Sequence, residues 1–516
     1  MSQADGTTEY PAPAALREAP LSKGPAGFAG GVAALGGGAV VAHLLAFAAA
    51  PILSRLFPPE AFGTAEVVSA VILVLGFLAA LRYESAVMLP ESDADAANLL
   101  AVGTLAVAAV TGAVAVAMLL AGDAMIAALN ATAASGYYLP AIVVGVATFG
   151  LGQPLRAWVT RHRHYRRLGG QMMAETFTSV STKVAAGLSG WTGPAALIFT
   201  GILGRAVPVL MMLVSLARHD GRFVARSLSL RRMGELACRY ARFPLIDLWS
   251  GLLTKASFFL PLVLLGVAFG AAVVGHYSRA MMLVHLPLLL VGNAVGQVFF
   301  QQASARQAAG RPLGELVEGV LWRLAWIAFA PLAMVAVIGP DLFAFAFGGR
   351  WAQAGVYAQL LAPGVLAATL VMPLATLLVV RERLGRSLAY NAALAGATLA
   401  ALLAGGWIWR DARAAMLLMS LASVVVHGAL GLVLLRLAGA SAGRACGRLL
   451  RCLLYAAPML AVAAAGKWWL ALSPWQLTCA AAVASASYWT LALRHDAEAR
   501  DMLMKHMATI WRSRKR

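Results

Sequence analysis

The sequence predicts an all-α polytopic membrane protein with about 14 transmembrane helices, and three observations support this fold class. Of its 516 residues, 61% are hydrophobic and only 12% are charged, and the mean hydropathy is +0.77. A soluble globular protein carries about 25% charged residues, so this chain lacks the polar residues that a water-exposed surface needs. The hydrophobic residues form long runs, and most of the basic residues fall between those runs.

The apolar runs have the length that a membrane-spanning helix requires. A bilayer core about 30 Å thick needs roughly 20 apolar residues in helical conformation. The weakest segment contains Glu175 and Lys183, and we retain it because its removal would break the charge alternation described next. The predicted spans are 27–54, 62–81, 96–121, 137–158, 170–189, 193–217, 244–268, 273–301, 322–340, 354–379, 386–408, 412–435, 451–470 and 474–493.

The basic residues alternate between the two sides of the predicted bundle. With the N-terminus inside, 32 of the 41 Lys and Arg residues fall in inner segments, 5 fall in outer segments and 4 lie within spans. Lys and Arg accumulate in cytoplasmic loops, so this asymmetry predicts a bacterial inner-membrane protein with both termini in the cytoplasm. The net charge of +19 follows from this topology, and no nucleic-acid partner is predicted.

The longest inner loop divides the spans into six before it and eight after it. This loop is basic and amphipathic, and we expect it to lie on the cytoplasmic leaflet. The predicted organisation is a flexible cytoplasmic tail (1–25), an N-lobe of six spans (26–217), a basic cytoplasmic linker (218–243), a C-lobe of six spans (244–437), two additional spans (438–493) and a basic cytoplasmic tail (494–516).

A weak internal repeat supports the pairing of the two lobes. Phe57 and Gly63 have the same separation as Phe269 and Gly275, and the two pairs are offset by 212 residues. Each pair follows the first span of its lobe. Corresponding positions of this kind are typical of transporters built from repeats.

Several functions are disfavoured by the absence of their motifs. The four cysteines show no CxxC pair and no zinc-ligand spacing. Residues 1–25 lack the apolar core of a cleavable signal peptide. The glycine run at 30–38 lacks the GK[ST] ending of a phosphate-binding loop, so we interpret it as a helix-packing surface. No catalytic motif appears in a loop, and we predict neither an enzyme nor a cofactor.

Charged side chains inside the spans are the candidate functional residues, because each costs about 2.5–3.5 kcal/mol at mid-bilayer and tends to face the bundle interior. An excess of cations suits a phosphate-bearing substrate. The alternative is that Asp247–Lys255 and Glu175–Lys183 are internal pairs that hold helices together, although each pair is eight residues apart. The predicted substrate-binding residues are Arg205, Lys255, Arg279, Lys183 and Arg55, and the predicted cavity or gating residues are Arg82, Glu84, Glu175, Asp247, Gln297 and Gln301.

Three stretches resemble the polysaccharide biosynthesis protein family, which comprises oligosaccharide flippases of the multidrug/oligosaccharidyl-lipid/polysaccharide exporter superfamily. They are residues 51–100, 242–304 and 347–380. Their most specific parts are Arg82-Tyr83-Glu84, the Gly275–Ala280 stretch and the FGxxWxxAGxY pattern from Phe347 to Tyr357. The resemblance covers roughly residues 25–440.

The resemblance implies two six-helix lobes that form a V around a central cavity, with alternating access to the two leaflets. It also implies a polyprenyl-pyrophosphate-linked glycan as the cargo for O-antigen, capsule or exopolysaccharide assembly, with the bilayer and a polymerase or export machinery as partners. A coupling ion, Na⁺ or H⁺, is not identified. The alternatives are a drug or cation extruder of the same superfamily and, less favoured, a membrane glycosyltransferase, polymerase or ligase. By similarity to lipid II flippases, the C-terminal helix pair is expected to hold the prenyl tail.

Overall fold

The computed structural model describes residues 25–128, 137–162, 164–286, 288 and 292–495, and within these residues every regular element is helical. The α-helices are α1 (Pro25–Leu56), α2 (Pro59–Ala79), α3 (Tyr83–Ala86), α4 (Asp93–Ala128), α5 (Tyr138–Arg161), α6 (Tyr165–Leu188), α7 (Pro194–His219), α8 (Gly221–Ser227), α9 (Leu230–Arg239), α10 (Leu248–Phe269), α11 (Ala271–Val284), α12 (Asn293–Ala308), α13 (Gly314–Phe347), α14 (Ala352–Val371), α15 (Leu377–Val380), α16 (Leu384–Leu403), α17 (Ala412–Ala438), α18 (Ala442–Trp468) and α19 (Pro474–His495).

Four shorter segments of tighter or wider helix join these elements. Two are π-helical, Phe243–Asp247 before α10 and Ala404–Ile408 after α16, and two are 3₁₀-helical, Gly349–Trp351 and Met372–Thr376 on either side of α14. The predicted tails fall almost entirely outside the described residues, as do residues 129–136 of the loop between the predicted spans 96–121 and 137–158.

The all-α membrane fold predicted from the sequence is confirmed. Ten helices of the described chain are long and apolar enough to cross a membrane. Four further predicted spans coincide with the helix α6, the helix α10, the pair α11 and α12, and the helix α19, which fall below that threshold. The count of fourteen spans and the boundaries of the lobes therefore stay predictions.

The predicted eighth span, 273–301, contains helix α11, which ends at Val284, and helix α12, which begins at Asn293. Of the residues between them, Leu286, Leu288 and Gly292 are also helical, and residues 287 and 289–291 lie outside the described part of the chain. That this segment forms a single span therefore stays a prediction.

The helical bundle has two ends. We call the end with the α1–α2 turn, residues 57–58, the far end, and the end with the linker helices α8 and α9 the linker end. The linker is ordered into these two short helices, and α9 buries Met233 and Leu236 against the rest of the chain. Asn98 near the start of α4 fixes the linker, since its amide donates to the carbonyl of Ser227 and its oxygen accepts from the N–H of Ser229.

The two halves of the chain cross at the two glycines of the sequence repeat. A Cβ atom on Gly63 would overlap the carbonyl oxygen of Ala271, and a Cβ atom on Gly275 would overlap that of Pro59. Each glycine therefore meets the backbone four residues before the other glycine. The repeat offset of 212 residues relates both partners, so α2 and α11 cross about a pseudo-twofold axis.

The C-terminal helices α18 and α19 pack against α13. The hydroxyl of Tyr488 donates to the carbonyl oxygen of Trp326 at 3.1 Å, and the Arg444 guanidinium contacts the Glu318 carboxylate at 2.9 Å. A second apolar core joins α13, α18 and α19, separate from the larger core that the two halves share. The C-terminal helices α18 and α19 therefore pack as part of the second half of the chain.

Candidate functional site

Four charged side chains from four helices lie close enough inside the bundle for their charges to interact. Glu66 lies on α2, Lys183 on α6, Arg205 on α7 and Arg279 on α11. The charge of Glu66 acts on all three cations, and Arg205 and Arg279 also act on Lys183. Counted from the far ends of their helices, the four residues lie roughly 8 to 17 Å into the bundle at 1.5 Å per residue. We call them the interior cluster.

The cations of the interior cluster have no close carboxylate partner. Within the described residues, no carboxylate oxygen lies within 4.0 Å of the side-chain nitrogens of Lys183, Arg205 or Arg279. Glu175, whose charge also acts on Arg205, contacts Arg156 instead, at 3.8 Å. Three cations therefore share the nearby Glu66, and the cluster retains the capacity to bind an anion.

Arg279 is enclosed by aromatic rings. Its guanidinium carbon lies 3.9 Å from the ring centre of Phe62 and 5.5 Å from that of Trp351. Its Nη1 lies 3.3 Å from the sulfur of Met282, and its Nε has no hydrogen-bond partner within the described chain. Only 7% of the residue is exposed. Cation–π contacts hold this guanidinium in a site from which solvent is excluded.

The far end closes between the two halves through backbone and aromatic contacts. The indole N–H of Trp351 donates to the carbonyl oxygen of Ser54 at 2.7 Å. Arg55 donates to the carbonyl oxygen of Phe345 at 3.3 Å, and Arg350 donates to that of Arg55. Phe62 and Trp351 pack edge to face with ring centres 5.5 Å apart. Together with the glycine crossing, these contacts seal the far end.

The linker end joins the two halves through an ion pair. Arg82 Nε lies 2.7 Å from an Asp247 carboxylate oxygen, and Arg82 Nη1 lies 3.0 Å from Glu84. Leu81 and Arg82 have φ angles of +50° and +65°, a left-handed conformation that costs a non-glycine residue about 1–2 kcal/mol. The arginine that bridges the halves is therefore held by a strained turn between α2 and α3. We call this contact the linker-end bridge.

The predicted site residues divide into three groups. Lys183, Arg205 and Arg279 meet in the interior cluster, and Arg82, Glu84 and Asp247 meet in the linker-end bridge. The other predicted residues lie apart from both groups: Arg55 is at the far end, Lys255 is exposed on α10, Gln297 and Gln301 are exposed on α12, and Glu175 pairs with Arg156. Their roles in binding stay predictions.

The alternative of pairs within one helix is not what the structure contains. Asp247 contacts Arg82 rather than Lys255, and Glu175 contacts Arg156 rather than Lys183. Both contacts join different helices, which a separation of eight residues along one helix could not indicate.

Sequence reasoning missed Glu66, Phe62 and Trp351. Glu66 was detectable, because it is a carboxylate within the predicted span 62–81 and lies three residues after the repeat glycine Gly63. Trp351 belongs to the FGxxWxxAGxY pattern but was given no role in the site, and Phe62 gave no signal, since aromatic residues are common in membrane helices. Within the described residues, no three His, Cys, Asp or Glu side chains lie together as a metal-binding set.

Solved structures with the same architecture are membrane transporters. The lipid II flippase MurJ, in an inward closed conformation, matches 91% of this chain and 99% of its own with a TM-score of 0.71 and 8% sequence identity. An inward-facing multidrug resistance MATE family transporter of the MOP superfamily matches 76% of this chain and 93% of its own, with a TM-score of 0.57 and 13% identity. At these identities the likeness shows a shared fold. No curated protein matches the sequence.

The sequence itself matches one family. Residues 52–355 fit the family described as polysaccharide biosynthesis protein. The matched segment covers more than half of the 516 residues and includes the Arg82-Tyr83-Glu84 and Gly275–Ala280 motifs on which the resemblance rested. This chain belongs to the polysaccharide biosynthesis protein family.

Proposed function

We propose that this protein is a flippase that carries a polyprenyl-pyrophosphate-linked oligosaccharide from the cytoplasmic to the outer leaflet of a bacterial inner membrane. The single observation that carries the proposal is the interior cluster, in which three cations share one nearby carboxylate deep between helices. A pyrophosphate headgroup supplies the missing negative charge. Family membership supports a substrate that belongs to polysaccharide assembly.

Energetics favour a functional role for these cations. Each charge inside a membrane bundle costs about 2.5–3.5 kcal/mol on insertion scales, and a close carboxylate would be the cheapest compensation. Lys183, Arg205 and Arg279 lack such a close partner within the described chain. Cations without a close carboxylate inside a membrane bundle are expected where a bound substrate supplies the opposite charge.

The closed far end indicates which state of the proposed transport cycle the described structure represents. The far end is sealed by the Gly63–Gly275 crossing and the contacts of Trp351. The loops at the linker end carry most of the basic residues, so this end is assigned to the cytoplasm. The described state is then closed towards the outer leaflet, and the headgroup reaches Lys183 and Arg205 of the interior cluster from the cytoplasmic side once the linker-end bridge opens.

The prenyl tail requires an apolar path, and α18 and α19 offer one. A groove of about 600 Å³ between them is lined mainly by apolar side chains, including Pro458, Val462 and Val483. In this proposal the headgroup crosses through the interior while the tail stays in lipid along the groove. The polar glycan then avoids the hydrocarbon.

A cation extruder is the second candidate, and Glu66 is the observation that favours it. A carboxylate inside the bundle attracts a cationic drug. Three cations surround this carboxylate, however, and their repulsion opposes a cationic substrate. The anionic substrate is therefore the better fit.

Reconstitution tests the proposal. Purified protein in liposomes should move a fluorescent polyprenyl pyrophosphate oligosaccharide between leaflets, measured as the label that a membrane-impermeant quencher reaches. A charge-assisted hydrogen bond contributes about 1.5–3 kcal/mol, so Arg205→Gln should slow flipping roughly tenfold or more. The matched control is Arg231→Gln, because the Arg231 side chain is 90% exposed.

The outcomes separate the candidates. Flipping by the native chain and by Arg231→Gln, with loss in Arg205→Gln, supports the proposal. Absence of flipping by correctly inserted native protein rejects it, and uptake of a cationic dye in the same liposomes would support the extruder instead. Normal flipping by Arg205→Gln contradicts the assignment of the interior cluster as the headgroup site.

A further inference from the structure

Arg279 differs from the other two cations of the interior cluster. Lys183 and Arg205 lie on α6 and α7, in the same half of the chain as Glu66, whereas Arg279 lies on α11 in the other half. Arg279 is also the one that Phe62 and Trp351 enclose. We propose that Arg279 is a release-side anion site, hidden while the far end is closed and uncovered when α2 and α11 separate. This inference rests on the proposed flippase function.

In the closed state, the surroundings of Arg279 exclude a headgroup. The Phe62 ring covers the guanidinium at 3.9 Å, the ring of Trp351, the residue before α14, lies 5.5 Å from it, and Arg279 is only 7% exposed. A pyrophosphate group cannot reach it without moving one of these rings. Its buried Nε–H has no partner within the described chain, so this group can donate a hydrogen bond to an anion that reaches it.

The glycine crossing links the exposure of Arg279 to opening of the far end. Phe62 is adjacent to Gly63 on α2, and Arg279 lies four residues after Gly275 on α11. Any movement that separates the two helices at their glycines therefore withdraws Phe62 from Arg279. The ring cover and the crossing must open together.

Opening of the far end affects the three cations differently. Glu66 is on α2 and moves with Lys183 and Arg205, so these two keep their shared carboxylate. Arg279 leaves the carboxylate behind, and among the described residues Glu66 is the one carboxylate whose charge acts on it. The attraction of Arg279 for a pyrophosphate therefore increases as the far end opens. The headgroup passes from Arg205 and Lys183 to Arg279, on the side where release occurs.

Separate measurements of binding and of flipping test the order in which the headgroup contacts the three cations. The probe is a fluorescent polyprenyl pyrophosphate, titrated into the full chain in detergent, with flipping followed in liposomes. Arg205→Gln should weaken resting binding at least tenfold. Arg279→Gln should change resting binding less than twofold while slowing flipping at least tenfold. Equal weakening of resting binding by the two variants would overturn the proposal.

A second arm opens the far end deliberately. Gly63→Ala places a methyl group against the carbonyl of Ala271, so it forces α2 and α11 apart, whereas Gly112→Ala on α4 has open space around it. In the Gly63→Ala background, Arg279→Gln should weaken binding at least tenfold, and in the Gly112→Ala background less than twofold. The same small effect in both backgrounds overturns the inference. Gly275→Ala tests the same opening from the other helix if Gly63→Ala does not fold.

A stability measurement separates a release site from a purely structural arginine. An arginine with an unpartnered buried Nε is costly, and an apolar replacement of similar volume often leaves stability unchanged or raises it. Arg279→Met should therefore keep or raise the Tm while losing flipping. A lower Tm together with proportionate loss of folded protein would assign Arg279 to structure. Failure of the native chain to flip the probe is a different result, because it rejects the proposed function itself.

Discussion

The two ends of the bundle join the two halves of the chain by different chemistry. At the far end, α2 and α11 touch through glycine and backbone, and Trp351, Arg55 and Arg350 bond to carbonyl oxygens across the halves. At the linker end, the halves meet through the charged side chains of Arg82 and Asp247. One closure depends on steric fit, and the other depends on an ion pair.

The two closures should therefore respond differently to substitution. Close-packed backbone tolerates no extra atom, so the far-end closure should fail sharply when its fit is lost. The linker-end bridge is partly exposed, with 24% of the Arg82 side chain and 43% of the Asp247 side chain accessible. Salt and water weaken a partly exposed ion pair, so removing it should weaken the linker-end closure only moderately.

The largest expected effect is at the glycine crossing, compared with a glycine on the linker side. Gly275→Ala meets the backbone of Pro59, which cannot yield, whereas Gly251→Ala on α10 meets the side-chain ring of Phe77, which can rotate. Gly275→Ala should therefore slow flipping at least tenfold, and Gly251→Ala about threefold or less. Flipping in liposomes measures both.

The matched comparison also identifies the cause. A cysteine at Phe62, in a chain without other cysteines, should react with a maleimide only when Gly275 carries a side chain. Equal reactivity in the native and Gly275→Ala backgrounds would show that the crossing does not control access to Arg279.

A smaller effect is expected at the linker-end bridge. Arg82→Gln and Asp247→Asn each remove the ion pair at 2.7 Å, and the double variant removes nothing further. A double-mutant cycle should therefore give a coupling energy of about 0.5–1 kcal/mol at low salt, decreasing as salt is added. The measurement is the free energy of unfolding, or the flipping rate converted to free energy. Strict additivity of the two substitutions contradicts the bridge.

The smallest effect is expected in the groove between α18 and α19. Ala480 lines this groove, and Ala480→Phe should fill part of its volume of about 600 Å³. Flipping of a long-chain polyprenyl carrier should then slow about threefold or less, because the bilayer also accommodates the tail. A carrier with a short prenyl chain is the control and should be unaffected. Equal slowing of both carriers would show that the groove does not hold the tail.

The sequence predicted the helices well, because their signal is local. Runs of about 20 apolar residues and the asymmetry of basic loops identified all ten helices of the described chain that are long and apolar enough to span, and they also located helix α6 despite Glu175 and Lys183. The π-helical segments Phe243–Asp247 and Ala404–Ile408 were not predicted, because hydropathy does not register a change in the hydrogen-bond spacing of a helix.

Only part of the site could be predicted, because a sequence shows which residues are charged but not which residues contact them. Lys183, Arg205 and Arg279 could be chosen as intramembrane cations, yet their shared neighbour Glu66 and the rings around Arg279 depend on how four helices pack. The repeat of Phe57–Gly63 and Phe269–Gly275 indicated symmetry, but nothing in one dimension indicated that the two glycines contact each other.

The proposed transport requires an anion site inside the bundle, and a binding comparison measures that site without relying on transport. Polyprenyl pyrophosphate and uncharged polyprenol of the same chain length are titrated into the full chain and into the double variant Lys183→Gln/Arg205→Gln. The native chain should prefer the pyrophosphate at least tenfold, and the double variant should lose this preference while its affinity for polyprenol is unchanged. Equal affinity of the native chain for the two lipids, or an undiminished preference in the double variant, would contradict the proposed anion site.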